Sequence, residues 1–92
     1  FARNDFAAFG AMNAIKRAGL RIPQDIAIVG YDDVPLASHT SPPLTTVRQP
    51  TREQGRLAAE LLLRRIESRE PVAREERIFA CELVVRESTV GK

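Results

Sequence analysis

Cysteine occurs once, at Cys81, and a single thiol can form neither an internal disulfide nor a metal cluster. Histidine is equally scarce. His39 lies in a polar stretch with no second ligand or nucleophile beside it, so it marks no metal or catalytic site. The chain also lacks a glycine-rich phosphate loop and a Ser-His-Asp set, which removes the common routes to catalysis. No apolar run approaches the roughly 18–20 residues that a membrane span needs. Nor does one charge dominate. The formal net charge is +2, acids and bases are nearly balanced in both halves, and no basic cluster speaks for direct DNA binding by these residues. What is present, 43% hydrophobic and 28% charged residues, is the composition of an ordinary globular chain rather than a disordered tail. Ninety-two residues make one small domain or a piece of a larger one. The opening Phe1-Ala2-Arg3-Asn4-Asp5 stands in mid-motif without an initiator Met or signal-peptide pattern, so a longer protein is expected.

The hydrophobic pattern alternates helix with strand. Asn4 is a suitable N-cap, Asp5 suits the positive end of a helix, and Gly19 suits its C-terminal stop. Between them Ala7, Ala11, Ala14 and Ala18 mark one side at helical spacing, with Ala8, Met12 and Ile15 beside it. Pro23 prevents the helix from continuing, and a strand is predicted over 26–31. After a looser stretch, Val34 to Ser41, with a helical turn following Pro35, the residues Leu44 to Arg48 read as a short strand. Thr51 and Gln54 have capping-box spacing and open a helix to about Ser68. Leu57, Leu61, Leu62 and Ile66 form its apolar face, Arg56, Glu60, Arg64 and Glu67 face water, and Glu60 is expected to pair with Arg64. A polar linker, 69–76, leads to strand-like stretches at 77–80 and 82–87, and Cys81 between them is expected as a small buried thiol. The order is that of an α/β fold.

The most informative stretch is Ile26-Ala27-Ile28-Val29-Gly30-Tyr31-Asp32-Asp33. An unbroken apolar run predicts a strand covered on both faces, as in a parallel sheet flanked by helices. Ligands of open α/β sheets gather beyond the carboxyl ends of the strands, where Asp32 and Asp33 are expected. Paired acids at that place also suit Mg²⁺ in a receiver-like phosphoacceptor domain, with Thr45 or Thr46 as the later hydroxyl. That chemistry needs a lysine after a further strand, and neither Lys16 nor Lys92 is so placed.

Five strings recur in a familiar order. They are Asn4-Asp5 before an alanine-rich helix, Gly19 to Ile26, Val29-Gly30-Tyr31-Asp32-Asp33, Pro42 to Pro50, and Glu82 to Thr89. Together they resemble the C-terminal part of the effector-binding domain of the lactose-repressor (LacI/GalR) family of bacterial transcription regulators. The resemblance covers nearly the whole chain. It implies a fragment of a periplasmic-binding-protein-like (type I) two-lobed α/β fold, with a sugar or nucleobase-like effector held between the lobes. Residues 1–48 and about 79–90 would belong to the C-terminal lobe and about 49–78 to the N-terminal lobe. The family also implies a homodimer in the cytoplasm, no cofactor, no membrane, and operator DNA bound through a helix-turn-helix domain absent from this sequence.

Carried over residue by residue, the resemblance makes Asp32, Asn4 and Gln49 the candidate effector contacts. A carboxylate accepts hydrogen bonds from paired hydroxyls or an N–H and so discriminates polar ligands strongly. The alternatives are structural: Asp32 capping a turn, and Asn4 capping its helix, a task one side chain cannot readily combine with ligand contact. Asp33 and Asp5 are expected to be structural, Asp5 as a helix-dipole partner. Thr51 could reach the cleft, but its capping box suffices to explain it. Phe9, Met12, Val34 and Leu36 would be dimer-interface residues, their alternative being ordinary core. An exported sugar-binding protein of the same fold is the rival function, and the Leu44–Pro50 and Glu82–Thr89 strings are more similar to the repressors.

Overall fold

The computed structural model describes residues 1–68 and 78–90. Its elements in chain order are α1 (Asp5–Arg17), a 3-10 turn (Pro35–Ser38), β1 (Thr46–Arg48), α2 (Thr51–Glu67), β2 (Glu82–Val84) and α3 (Glu87–Val90). The chain divides into two compact units, Phe1–Gln49 with Cys81–Lys92, and Pro50–Ala80.

In the first unit α1 starts where Asn4 Oδ1 accepts the amide of Ala7 at 2.8 Å, leaving one fewer unpaired donor at the helix end. Lys16 and Arg17 complement the dipole in the last turn. Gly19, at φ +77°, then reverses the chain, and the Leu20 amide reaches back to the Ile15 carbonyl at 3.1 Å. A side chain at Gly19 would strain that left-handed backbone. The small residues of α1 allow close packing: Ala8 and Met12 join Ile22, Ile28, Ala37 and Leu44 in one buried cluster.

Residues 28–32 run beside this cluster. The Ala2 and Asp5 amides donate to the Val29 and Tyr31 carbonyls along one edge (2.7 and 2.9 Å). Along the other, the Gly30 and Asp32 amides donate to Thr45 and Val47 (both 2.9 Å). The pairing with 45–48 is parallel, through bridges Val29–Thr45 and Asp32–Arg48. β1 also pairs antiparallel with β2, Thr46 opposite Val84 and Arg48 opposite Glu82, so it has a partner on each side.

Several sequence expectations are corrected. The 26–31 run makes bridges rather than a regular strand, and Ile26 is exposed because pairing begins only at Val29. The strand expected over 82–87 ends at Val84; Ser88 turns inward, its hydroxyl donating to the Ile28 carbonyl (2.7 Å) and accepting the Thr45 amide (2.8 Å). Residues 78–80 are irregular, and Arg77 and the 69–76 linker lie outside the described residues. Cys81 is exposed, one residue before β2, and Leu83 and Val85 on the same alternation are also exposed.

In the second unit α2 does not use a capping box. Pro50 takes the N-cap position, no side chain caps the helix, and Thr51 is its first helical residue. Glu60 pairs with Arg56 on the preceding turn, at 2.8 Å. No residue of α2 is buried; Leu62 and Ile66 are 59% and 69% exposed.

Candidate functional site

The backbone from Tyr31 to Val34 is unusual before any side chain is considered. Asp32 has φ 120° and Asp33 φ 58°, both in territory that favours glycine. Such residues cost about 1–3 kcal/mol each and persist only where their surroundings over-determine them, a condition that recurs at ligand clamps.

Asp32 Oδ1 accepts the side-chain amide of Gln49 at 2.8 Å. Two of the candidate effector contacts are thus joined, one at the end of the 28–32 segment and one immediately after β1. The Asp32 side chain is half-buried, and its Oδ2 has no hydrogen-bond partner among the described residues. That leaves a carboxylate oxygen and the Gln49 carbonyl as acceptors for ligand hydroxyls or N–H groups.

Asp33 is committed to the scaffold. Its carboxylate takes Arg48 Nε at 2.8 Å on one oxygen and Arg86 Nη1 at 2.9 Å on the other, with the Asp33 side chain 11% exposed. Burial pushes this carboxyl up, and the hydrogen bonds from Arg48 and Arg86 more than offset it, holding it below the usual aspartate range. Arg48 is correspondingly raised, chiefly by its hydrogen bond to Asp33.

Asp5 does more than complement a helix dipole. It is fully buried. Its amide donates to the Tyr31 carbonyl (2.9 Å), its Oδ2 accepts the Val34 amide (2.8 Å), and its Oδ1 accepts the Thr46 hydroxyl (2.6 Å). Thr46 Oγ1 in turn accepts the Asp33 amide at 3.3 Å. Gly30 is what admits this carboxylate: a Cβ there would overlap Asp5 Oδ1 and lie 2.8 Å from Leu44 Cδ2. Sequence reasoning missed Thr46 and gave Asp5 too small a part. The available signal was Thr45-Thr46 between Leu44 and Val47 in a predicted strand, since buried hydroxyls require partners.

Asn4 lies one residue before Asp5, so it and Asp32 flank the hydrogen bond between the Asp5 amide and the Tyr31 carbonyl. Its Oδ1 is used by the helix cap, which leaves its amide nitrogen as the donor available to a ligand. Among the four expected interface residues, Met12 is 3% exposed within the core cluster, Phe9 packs half-buried against that cluster, Val34 is half-buried, and Leu36 is 52% exposed. Phe9 also meets the exposed Phe6 edge-to-face, ring centres 5.9 Å apart. Tyr31 places its hydroxyl 3.7 Å from Cys81 Sγ, a contact that raises the phenol's pKa. His39 is exposed, and the described residues contain no group of three or more His, Cys, Asp or Glu that could hold a metal.

Residues 1–89 match the family defined by the periplasmic binding protein-like domain. The chain belongs to that family. Within it, the relatives are regulators of the lactose-repressor type, as the five strings imply. The HTH-type transcriptional repressor PurR of Vibrio vulnificus is 47% identical over 90 residues, covering 96% of this chain and 26% of its own length. A LacI family transcriptional regulator from Enterococcus faecium, solved with bound ribose, superposes with a TM-score of 0.82 at 40% identity, over 97% of this chain and 33% of that one. The lac repressor dimer bound to operator and an anti-inducer superposes with a TM-score of 0.82 at 38% identity, over 95% and 30%. This periplasmic-binding-protein-like chain spans about a quarter of the length of the curated relatives it matches.

Proposed function

We propose that the chain is the C-terminal part of the effector-binding domain of a ligand-responsive bacterial transcription regulator. It contributes effector contacts and a dimer surface. The observation that carries the proposal is the Asp32 carboxylate, held by Gln49 on a strained turn with one oxygen unclaimed by the described residues. Asp32 orients the effector, Gln49 adds an acceptor, and Asn4 donates its side-chain N–H. The ligand is a small polyhydroxylated or N–H-bearing molecule, a sugar or a nucleobase derivative. The repressor and regulator names of the relatives support regulation over transport.

In this reading residues 1–48 and about 79–90 belong to the C-terminal lobe, and about 49–78 to the N-terminal lobe. Operator DNA is bound by a helix-turn-helix domain outside these residues. The working form is a cytoplasmic homodimer, joined through Phe9, Val34 and Leu36 with Met12 packed behind them. The protein is not an enzyme and needs no cofactor. Effector binding biases the lobe closure of the whole protein and thereby operator affinity. That coupling requires unequal effector affinity for the two states, since equal affinity shifts nothing.

Calorimetry on the full-length protein with ribose, other free sugars and nucleobases tests the binding half. Operator titrations with and without each bound compound test the regulatory half. Operator affinity indifferent to every compound that binds would favour the exported sugar-binding reading instead.

A further inference from the structure

We infer that Asp5 and Thr46 form a buried positioning pair that holds Asp32 in its ligand-receiving conformation. The inference rests on the effector reading of Asp32 and deepens it.

A turn with two successive non-glycine residues at positive φ needs external restraint. Three backbone groups of 31–34 are held by this pair. The Tyr31 carbonyl accepts the Asp5 amide before the strained residues, and the Val34 amide donates to Asp5 Oδ2 after them. Between the two, the Asp33 amide donates to Thr46 Oγ1, whose hydroxyl donates to Asp5 Oδ1. Both side chains are fully buried, so water competes little for the bond between them. Three of the four hydrogen bonds end on backbone groups of Tyr31, Asp33 and Val34, beside Asp32, and none uses the Asp32 carboxylate itself. The pair also lies next to the other two proposed contacts. Asn4 precedes Asp5, and Gln49 follows Thr46 by three residues on the same extended run. A carboxylate is suited to this task because each oxygen can take a separate donor, whereas an amide offers only one acceptor atom.

Thr46 gives the cleaner test, because Asp5 also opens α1 and its replacement could disturb folding. Thr46→Val keeps the shape and removes the hydroxyl; Thr46→Ser keeps the hydroxyl and removes the methyl. In the full-length protein, hydrogen exchange of the 31–34 amides should rise in Thr46→Val and stay near wild type in Thr46→Ser. Binding of whichever panel compound binds wild type, ribose being the first tried, should weaken about tenfold in Thr46→Val, and much less in Thr46→Ser. A packing role predicts the reverse order, with Ser worse than Val, and that order overturns the inference. Unchanged exchange in Thr46→Val also overturns it. If no sugar or nucleobase binds wild type, the effector reading fails, while exchange still decides whether the pair holds the turn.

Discussion

Arg86, two residues beyond β2, sets its guanidinium 2.9 Å from Asp33 and donates from the same nitrogen to the Leu44 carbonyl, also at 2.9 Å. With Arg48 on the other carboxylate oxygen, one acidic side chain ties the 31–34 turn to β1 and to the chain after β2. Because Asp33 and Arg86 are 11% and 16% exposed, their pair is largely shielded from water, whereas Arg48 is half exposed.

Asp33→Asn should therefore destabilise the protein by about 1.5–3 kcal/mol near neutral pH, the range for hydrogen bonds to charged groups. The pH dependence has a definite sign. The folded Asp33 pKa lies below its ordinary value of 3.8, so the unfolded state takes up the proton first on acidification. The stabilisation is present above that ordinary value and is lost as the pH falls through the lowered one. The gap between wild type and Asp33→Asn in denaturant midpoint should narrow over that acid interval. A gap that stays constant down to the lowest pH at which both remain folded would show that Asp33 is not depressed.

Asp32 separates binding from stability. Asp32→Ala should weaken effector binding by about 2–4 kcal/mol, combining lost hydrogen bonds with stranded polar groups on the ligand. Asp32→Gly should lose as much binding yet fold at least as well as wild type. Relief of about 1–3 kcal/mol of backbone strain offsets the roughly 0.5–1 kcal/mol entropic cost of glycine. Calorimetry paired with chemical denaturation reads both effects. A Gly variant less stable than the Ala variant would show that φ 120° is not strained here.

Gly30→Ala should be severe for so small a change. The added methyl meets Asp5 Oδ1, Leu44 Cδ2 and, at 3.3 Å, the Asp5 Cα, and backbone cannot step aside as a flexible side chain can. Overpacking of about 1–3 kcal/mol is expected, with loosened 31–34 amides. Thermal unfolding and hydrogen exchange check the two parts, and a variant of wild-type stability would refute the close approach.

The isolated 92-residue chain should self-associate. Leu62, Leu63 and Ile66 are more than half exposed on a helix with no buried residue, and each forfeits about 1.5–3 kcal/mol of burial. Light scattering should find oligomers, and Leu62→Glu with Ile66→Glu should reduce them. A folded micromolar monomer of the unmodified chain would count against an apolar stripe in need of a cover.

The sequence was most legible where the cause is local. Asn4, the alanine spacing and Gly19 define α1, because a cap, a periodicity and a left-handed stop each act within a few residues. The α2 span was legible too, although its capping box was not realised; Pro50, with no N–H to satisfy, already occupies the cap position. What escaped depends on distant partners. Nothing near Ser88 announces that its hydroxyl will take the Thr45 amide and end the β2 extension. Nothing near Asp5 announces Val34 or Thr46, so a side chain read as a dipole partner proved to be a fully buried hub. Cys81 misled for a related reason: alternation signals which residues share a face, not whether this chain covers that face.

Arg48 and Glu82, cross-strand partners in the β1–β2 ladder, have one further implication. The chain leaves β1 and re-enters β2 at the same rung, so the whole Pro50–Ala80 unit is, topologically, an oversized hairpin loop. An ordinary two-residue turn dictates strand register by its geometry. A loop of roughly thirty residues dictates none, and closing it costs about 2 kcal/mol more. Alignment of β1 with β2 is held instead by the ladder itself, by the ion pairs of Arg48 with Asp33 and Glu82 at one end, and by the contacts of Arg86 and Ser88 with Leu44 and Thr45 at the other. A short Asn-Gly turn spliced between Arg48 and Glu82 would join the two segments of the Phe1–Gln49 and Cys81–Lys92 unit directly, at the loss of Gln49 and Cys81.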